Sequence, residues 1–256
     1  MVYNGKPTRA WLDRDETASP TTSLEGIFLT TVIDAKEGRD IMSADVPNAF
    51  IQAKMPETKP GEDRVIMKIT GVLVDMLVSY DPVRYGPHVV FKKGKKVVYV
   101  RVLRALYGQL VSSLLWYKTF RRDLEKVGFE FNPYDPCIAN REVNGKQHTV
   151  RFHVDDLLSS HVNPKVNDKF LDWLNKKYGQ HGAVVATRGK KHDYLGMTLD
   201  FSEKGVVIVD MVDYVEKMVD EFPEKLKSTH TAMSPADAGL FEPSKGGVLD
   251  KKRSED

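Results

Sequence analysis

The amino-acid sequence predicts an α+β fold in which antiparallel hairpins pack on helices. Residues 148–156 alternate between apolar and polar side chains, as a half-buried strand does, and residues 41–46 follow nearly the same pattern. Residues 110–127 instead carry apolar side chains every three or four positions, which is the period of an amphipathic helix. Strands followed by short returns and separated by helices favour antiparallel pairing over a parallel sheet.

The strand at 148–156 ends in two adjacent carboxylates. Val150, Phe152 and Val154 fall on one face, and polar side chains, including Asp155, fall on the other. Residues 157–162 can return as a second strand, so the Asp-Asp pair is expected at or near a tight turn. One face of the strand would then pack on helices, while the other presents a carboxylate.

The other elements follow from the same two periods and from capping residues. Ser23 can cap a helix that Gly38 ends, and Pro47 favours a stop or a helix start after Asp45. In chain order we expect an extended N-terminus (1–22), a helix (23–36), a strand to Asp45, a short helix (47–54), a strand (64–69), a short helix (72–78), hairpin arms (89–91 and 97–102), a helix (110–127), a hairpin around Asp155, a helix (164–178), three strands (183–187, 194–201 and 205–210), a helix (212–222) and a disordered tail.

Length and composition are those of a globular domain with a substantial core. Of 256 residues, 41% are hydrophobic and 29% charged, and no apolar run approaches a membrane span. No signal peptide is recognisable, so we expect an intracellular location, in a cytoplasmic particle or the nucleus. The single cysteine, Cys137, excludes an internal disulfide and is typical of a small buried apolar residue.

Positive charge is concentrated in one part of a nearly neutral chain. Between His88 and Lys126 there are ten Lys and Arg residues against two acidic ones, an excess of 10 − 2 = +8. Such a region favours a phosphate backbone as partner. A solvated hairpin tip at 92–96, followed by a polar helix face, would give the same pattern.

Asp45 and the Asp155-Asp156 pair end two separate strands. Carboxylates brought together from two strands can hold hard divalent cations. Surface aspartates at strand ends are the alternative that alternation alone leaves open.

Four sequence blocks follow one another along the chain. They are Asp-Val-Pro-Asn-Ala-Phe at 45–50, Arg-Ala-Leu-Tyr-Gly at 104–108 with Trp116-Tyr117, Asp-Pro-Cys at 135–137 with His-Val-Asp-Asp-Leu-Leu at 153–158, and Tyr-Leu-Gly-Met at 194–197. In order and spacing they resemble the reverse transcriptase domain of copia-type (Pseudoviridae) LTR retrotransposon polyproteins. The resemblance extends from about residue 18 to about residue 225.

This resemblance implies a right-hand polymerase with fingers, palm and partial thumb, whose antiparallel palm sheet packs on helices. We expect an N-terminal extended segment with truncated fingers (1–22), fingers and palm (23–203), the start of the thumb or connection (204–235) and a disordered tail (236–256). The implied function is RNA-directed DNA polymerisation.

The resemblance also implies roles for single residues. It assigns catalysis to Asp45, Asp155 and Asp156, and two Mg²⁺ ions, with Mn²⁺ as an alternative, to these carboxylates and the Val46 carbonyl. Further residues are implied as follows: substrate binding by Phe50, Tyr107, Gly108 and His153, and nucleic-acid binding by Lys118, Arg121 and Arg122. Expected partners are an RNA or DNA template with primer, dNTPs, and a second copy or other polyprotein domains, with no membrane.

Several residues depart from the family pattern. His153 stands where the family commonly has Tyr, and the Gln-Leu-Val-Ser-Ser-Leu-Leu stretch at 109–115 replaces a Leu-Lys-Gln-x-Pro type of sequence. Lys190 and Lys191 are both candidates for the general acid toward pyrophosphate. The alternative function is a decayed domain that binds nucleic acid without polymerising, and a metal-dependent hydrolase using the same three aspartates is a third hypothesis.

Overall fold

The computed structural model describes residues 3–10, 12, 17–58 and 64–222. The helices there are α1 (Leu24–Glu37), α2 (Ala49–Gln52), α3 (Val72–Tyr80), α4 (Pro82–Tyr85), α5 (Ser112–Glu125), α6 (Pro164–Tyr178) and α7 (Val212–Glu221). The strands are β1 (Asp40–Asp45), β2 (Ile66–Thr70), β3 (Val90–Lys92), β4 (Lys95–Arg101), β5 (Glu130–Phe131), β6 (Ile138–Val143), β7 (Lys146–His153), β8 (Asp156–His161), β9 (Val185–Gly189), β10 (Lys191–Tyr194), β11 (Met197–Asp200) and β12 (Ile208–Asp210). Helices and antiparallel sheets are mixed, which confirms the predicted class.

The chain divides into two compact units, Met1–Met211 and Val212–Asp256. In the second unit, the described part is mainly α7, an amphipathic helix whose apolar side chains recur every three or four positions. The predicted disordered tail lies outside the described residues. Within the described parts of both units, no helix is long and apolar enough to cross a bilayer.

A six-stranded antiparallel sheet organises the first unit. Its strand order is β5-β6-β7-β8-β1-β9, so β1 lies between two strands that come more than a hundred residues later. Two three-stranded sheets accompany it, β10-β11-β12 and β2-β4-β3. In the latter, Ile69, Val98 and Val74 of α3 form a small core of their own.

One face of the large sheet is covered by α5 and α6. Trp116, Phe120 and Leu124 of α5 and Phe170 and Leu174 of α6 are buried there. They meet apolar residues from the sheet, which are Met42, Ala44, Val150, Phe152 and Leu157. Each fully buried side chain of this size contributes about 1.5–3 kcal/mol, so this layer is the main core of the unit.

The opposite face is covered as well, by α1. Ser23 caps α1 by accepting a hydrogen bond from Gly26 N–H at 3.0 Å, and Gly38 ends it in a left-handed conformation with φ of 61°, both as predicted. Ile27 packs on Ile41, the residue that breaks the alternation of β1. The sequence predicted helices on only one face of β7, but α1 covers its polar face as well, and along most of the strand that face is buried.

A buried polar cluster joins α1 to this face. Asp34 of α1 and Arg151 of β7 form an ion pair at 2.7 Å in which both side chains are completely buried. Ser160 donates a hydrogen bond to the same carboxylate at 2.6 Å, and Arg151 also donates to Thr30 at 2.8 Å. These partners compensate for much of the cost of removing both charges from water.

Two regions of β-structure, one in the large sheet and one in the β10-β11-β12 sheet, differ from the sequence expectation. Strands β5 and β6 were not predicted, because residues 138–143 are mostly polar at the end that leads to the turn. The strand expected over 194–201 is a hairpin, since Leu195 and Gly196 have φ of 52° and 78° and form a two-residue turn between β10 and β11.

We predict that Asp34→Ala destabilises the protein by about 3–5 kcal/mol, because it leaves the Arg151 charge buried without its partner. The measurement is urea unfolding followed by circular dichroism. Asp75→Ala is the matched control, since Asp75 pairs with Lys96 on the surface at 2.6 Å and its loss should change stability little. Equal destabilisation by both substitutions would contradict the role of the buried pair.

Candidate active site

The carboxylates of Asp45 and Asp156 are brought together by strand pairing. Asp45 ends β1 and Asp156 begins β8, and the two residues are direct partners in the antiparallel register. Directly paired residues point to the same face of a sheet. Alternation then places them on the face away from Ala44 and Leu157, and so away from α5 and α6.

Asp155 lies in the turn that joins β7 to β8. His153 and Asp156 are paired, so Val154 and Asp155 form a two-residue turn. The backbone N–H of Val46 donates to the carbonyl oxygen of Asp155 at 3.4 Å, which attaches the turn to the end of β1. The structure therefore brings all three predicted carboxylates, and Val46, to one end of the sheet.

Val154 adopts a backbone conformation that is uncommon for its side chain. Its φ of 57° is in the left-handed region, which β-branched residues rarely enter. The buried Trp116 indole N–H donates to the Val154 carbonyl at 2.6 Å and thereby holds the turn from α5. Strained turns of this kind persist where the surrounding contacts determine them, and they are frequent at active sites.

The three carboxylates repel one another. The pKa of Asp45 is raised by partial burial and then by the charge of Asp155. The pKa of Asp156 is raised by burial and by Asp155 and Asp45, against an opposing effect of His153. Among the described residues, every ion pair within 4.0 Å involves other carboxylates, so no Lys or Arg neutralises this group.

Phe50 and Tyr107 form an aromatic pair beside the carboxylates. Their ring centroids are 4.5 Å apart and the planes are inclined by 45°. Burial is the main cause that raises the pKa of Tyr107, followed by the charges of Asp155 and Asp45 and a hydrogen bond to Asp155. The Tyr107 hydroxyl therefore lies beside the carboxylate in the turn.

The loop that carries Tyr107 and Gly108 is held from two sides. Tyr3 N–H donates to the Tyr107 carbonyl at 2.7 Å, and a Cβ on Gly5 would overlap the Gly108 carbonyl oxygen, so this approach requires glycine. Gln109 accepts from Leu106 N–H at 2.8 Å through its side-chain oxygen. A residue from the stretch that departs from the family pattern therefore stabilises the loop.

A small cavity of about 150 Å³ adjoins the carboxylates. Asp45 and Asp156 line it together with Thr187, Asp193 and Tyr194. None of the last three was predicted as a site residue, although Tyr194 begins the fourth sequence block. They reach the site only through the pairing of β9 with β1 and the following hairpin. Tyr194 is 3% exposed, and its hydroxyl has no hydrogen-bond partner among the described residues.

The carboxylates fit a hard divalent cation by their chemistry, but they do not form a closed cage. Among the described residues, no group of three or more His, Cys, Asp or Glu side chains is placed to hold a metal ion. Magnesium is often bound by one or two carboxylates with waters and substrate phosphates completing its shell. Uncompensated aspartates at the end of the sheet match that kind of site.

The basic residues predicted for nucleic-acid binding lie on α5, apart from the carboxylates. Lys118 lines an apolar cavity, and the exposed Arg122 lies 3.5 Å from Asp123. Arg121 is engaged within the protein: it pairs with Glu125 at 2.9 Å and lies over the Phe131 ring at 4.3 Å. Because α5 covers the other face of the sheet, the structure does not bring these three residues to the carboxylates.

Of the two lysines considered as general acids, Lys191 pairs with Asp200 at 3.0 Å on the surface of the second sheet. Lys190 accepts a hydrogen bond from Phe201 N–H through its carbonyl at 2.7 Å. Neither contact distinguishes the two candidates.

Comparison with known proteins places the chain in a family. The profile of the family described as reverse transcriptase (RNA-dependent DNA polymerase) matches residues 1–237. A transposon Ty5-1 protein of Saccharomyces cerevisiae is 27% identical over 116 residues, which are 45% of this chain and 36% of that protein. The aligned part thus spans about a third of the length of the curated relative.

Among solved structures, telomerase from Candida albicans, in complex with a TWJ fragment of telomeric RNA, is similar at a TM-score of 0.35 and 11% identity. The alignment covers 76% of this chain and 36% of the telomerase chain. At that score the similarity does not bear on the fold.

We predict that Asp155→Asn lowers the pKa of Asp45 and of Asp156, because it removes a negative charge that raises both. Carbon-detected NMR titration of the carboxyl groups measures this. Asp200 is the internal control, since hydrogen bonds from Ser202 and Lys191 hold its pKa at about 2. Unchanged values for Asp45 and Asp156 would contradict the mutual repulsion.

The raised pKa values of Asp45 and Asp156 also make the free energy of unfolding depend on pH. A folded-state pKa above the ordinary value of about 3.9 means that the folded protein binds more protons than the unfolded chain. The free energy of unfolding contributed by Asp45 and Asp156 therefore falls as the pH rises from about 3.9 through their folded pKa values. Asp155→Asn should make that decline smaller.

Proposed function

Because the chain belongs to the reverse transcriptase (RNA-dependent DNA polymerase) family, we propose that it is the polymerase domain of a retrotransposon polyprotein and adds dNTPs to a primer 3′-hydroxyl. The observation that supports this best is the convergence of Asp45, Asp155 and Asp156 at one end of a sheet. Nothing in this arrangement favours loss of activity over polymerisation.

Asp45 and Asp155 would hold two Mg²⁺ ions, with Asp156 in support and the Val46 carbonyl as a further ligand. Such ions stabilise negative charge on the attacking and leaving oxygens of an in-line phosphoryl transfer. The hydrogen bond from Val46 N–H to the Asp155 carbonyl supports this assignment, because it keeps both ligand-bearing segments together. The tyrosine hydroxyl of Tyr107 would orient the Asp155 carboxylate.

Phe50, Tyr107, Gly108 and His153 would form the binding site for the incoming nucleotide and the primer end. In the proposed role, the Phe50 ring lies beneath the sugar and excludes a 2′-hydroxyl by contact. Its packing on Tyr107 fixes the ring position, so rejection would not require a conformational change. His153 pairs with Asp156 at the end of the hairpin, where the primer terminus would approach.

The template and primer are proposed to bind through phosphate contacts, with Lys118, Arg121 and Arg122 as the basic residues concerned. Contact with a second copy or with other polyprotein domains belongs to the same proposal. Residues 1–22 would belong to the fingers, 23–203 to fingers and palm, 204–235 to the start of the thumb, and 236–256 to a tail. The six-stranded sheet would be the palm sheet, and β2-β4-β3 with α3 part of the fingers.

We predict that Asp155→Asn lowers primer extension on an RNA template by about a thousandfold, because metal-assisted charge stabilisation contributes several kcal/mol to the barrier. The assay measures dNTP incorporation with Mg²⁺. Asp172→Asn, at an exposed position on α6, is the matched control and should leave the rate unchanged. Equal incorporation by wild type and Asp155→Asn would refute the catalytic assignment, and duplex binding without incorporation would favour the decayed domain.

We predict that Phe50→Ala raises the use of ribonucleotides relative to deoxyribonucleotides by roughly tenfold or more, since the contact that excludes a 2′-hydroxyl is lost. Single-nucleotide incorporation with matched rNTP and dNTP pairs gives the ratio. Phe28→Ala on the exposed side of α1 is the control. An unaltered ratio would remove Phe50 from the sugar site while leaving the carboxylates unaffected.

A further inference from the structure

A second polar cavity, of about 500 Å³, opens where α2, α5 and α6 approach one another. It lies on the side of the large sheet that α5 and α6 cover, and none of the three carboxylates of the candidate active site lines it. Five cationic side chains and one carboxylate line it, an excess of four positive charges: Lys54, Arg104, Arg122, Lys126, Lys177 and Asp123.

The buried carboxylate of Asp123 contacts three of these five cationic side chains. Its carboxylate is 3% exposed, and its Oδ1 lies 3.5 Å from Arg122 Nε and 3.7 Å from Lys126 Nζ. Its Oδ2 lies 3.3 Å from Lys177 Nζ and accepts a hydrogen bond from the Tyr178 hydroxyl at 3.0 Å. One carboxylate thus positions three cations whose outer sides remain in the open cavity, and it can neutralise only one of them.

The part of the cavity wall formed by Gln52, Arg104 and Tyr178 is fixed by hydrogen bonds within the protein. Gln52 donates a side-chain hydrogen bond to the Tyr178 carbonyl at 3.1 Å, and Arg104 donates to the Gln52 carbonyl at 2.9 Å. Tyr178 is buried against the Trp116 ring at 5.2 Å. The cavity is therefore built on the main core, and a ligand would meet a largely formed site.

From this arrangement we infer that the cavity binds phosphate groups, separately from the candidate active site. Lys and Arg donors converging in a concave site are the groups that proteins use for phosphate oxygens, through charge-assisted hydrogen bonds. Of the described residues that line the cavity, only Asp123 is acidic, and its charge is already shared by three cations. The alternative is a set of solvated surface cations that bind no specific ligand. Such a surface would not require a buried carboxylate that holds three cations close together.

The size of the cavity admits either a free polyphosphate or one or two phosphates of a nucleic-acid backbone. Both sources present the same chemistry to the site. Binding does not require that the chain polymerise, because none of the proposed catalytic residues lines the cavity. Arg122 is the residue that the cavity shares with the proposed template and primer contacts.

The test is calorimetric titration of the 256-residue chain with inorganic pyrophosphate, without divalent cations. We expect saturable binding that Lys126→Ala/Lys177→Ala weakens by about tenfold, the loss expected for charge-assisted contacts. The control variant Lys165→Ala/Lys169→Ala also removes two positive charges, both from exposed positions on α6 outside the cavity. It should leave binding unchanged. Lys54→Ala removes a cavity lysine that does not contact Asp123, and it should weaken binding several-fold. This single variant tests the cavity even if the double variant misfolds.

A short RNA–DNA duplex in the same titration distinguishes the two sources. If the duplex displaces pyrophosphate, the cavity takes backbone phosphates; if both bind independently, it takes free phosphate. Absence of saturable pyrophosphate binding in the wild type, or equal loss in the two double variants, would overturn the inference. The primer-extension result for Asp155→Asn is independent of either outcome, so the two proposals can fail separately.

Discussion

The pairing of β1 with β8 is the constraint on which the rest of the structure depends. It joins Asp45 to Asp156 across more than a hundred residues of chain and places β1 between β8 and the edge strand β9. A slip of one residue would turn Asp45 toward the apolar layer under α5 and move Ala44 to the other face. Correct register of this one strand pair is therefore a condition for both the core and the candidate site.

The two faces of the sheet keep that register by different means. Under α5 and α6 the layer is aromatic and aliphatic, and it determines packing through shape. Under α1 the layer contains the Asp34–Arg151 pair, whose partners must meet within hydrogen-bonding distance or leave charges buried. A shifted strand would violate both layers at once, which makes alternative registers unfavourable.

The end of the six-stranded sheet that carries Asp45, Asp155 and Asp156 contains several destabilising features. Three carboxylates without a cationic partner among the described residues, and a valine with positive φ, all raise the free energy of the folded state there. Trp116, Tyr107 and the backbone contact to Val46 hold these groups in place. An arrangement of this kind is expected where binding of cations and substrate, rather than stability, determines the residues.

Local pattern in the sequence was sufficient to predict most helices, the hairpin around Asp155 and the carboxylates themselves. Alternation identified β1 and β7, and Ser23 and Gly38 marked the ends of α1, because such features depend on neighbours along the chain. The polar strand β6 and the turn at Leu195 were missed, since pairing and backbone conformation override a weak local pattern there.

The sequence by itself therefore determined most of the helices and strands and the chemical types of the predicted site residues. Only the tertiary structure decided that Arg151 is buried against Asp34, that Tyr194 reaches the carboxylates, and that the cations of α5 and α6 gather around Asp123. The physical reason is that these contacts join residues from different elements. Their distances depend on long-range strand order and on helix packing, which periodicity along the chain does not encode.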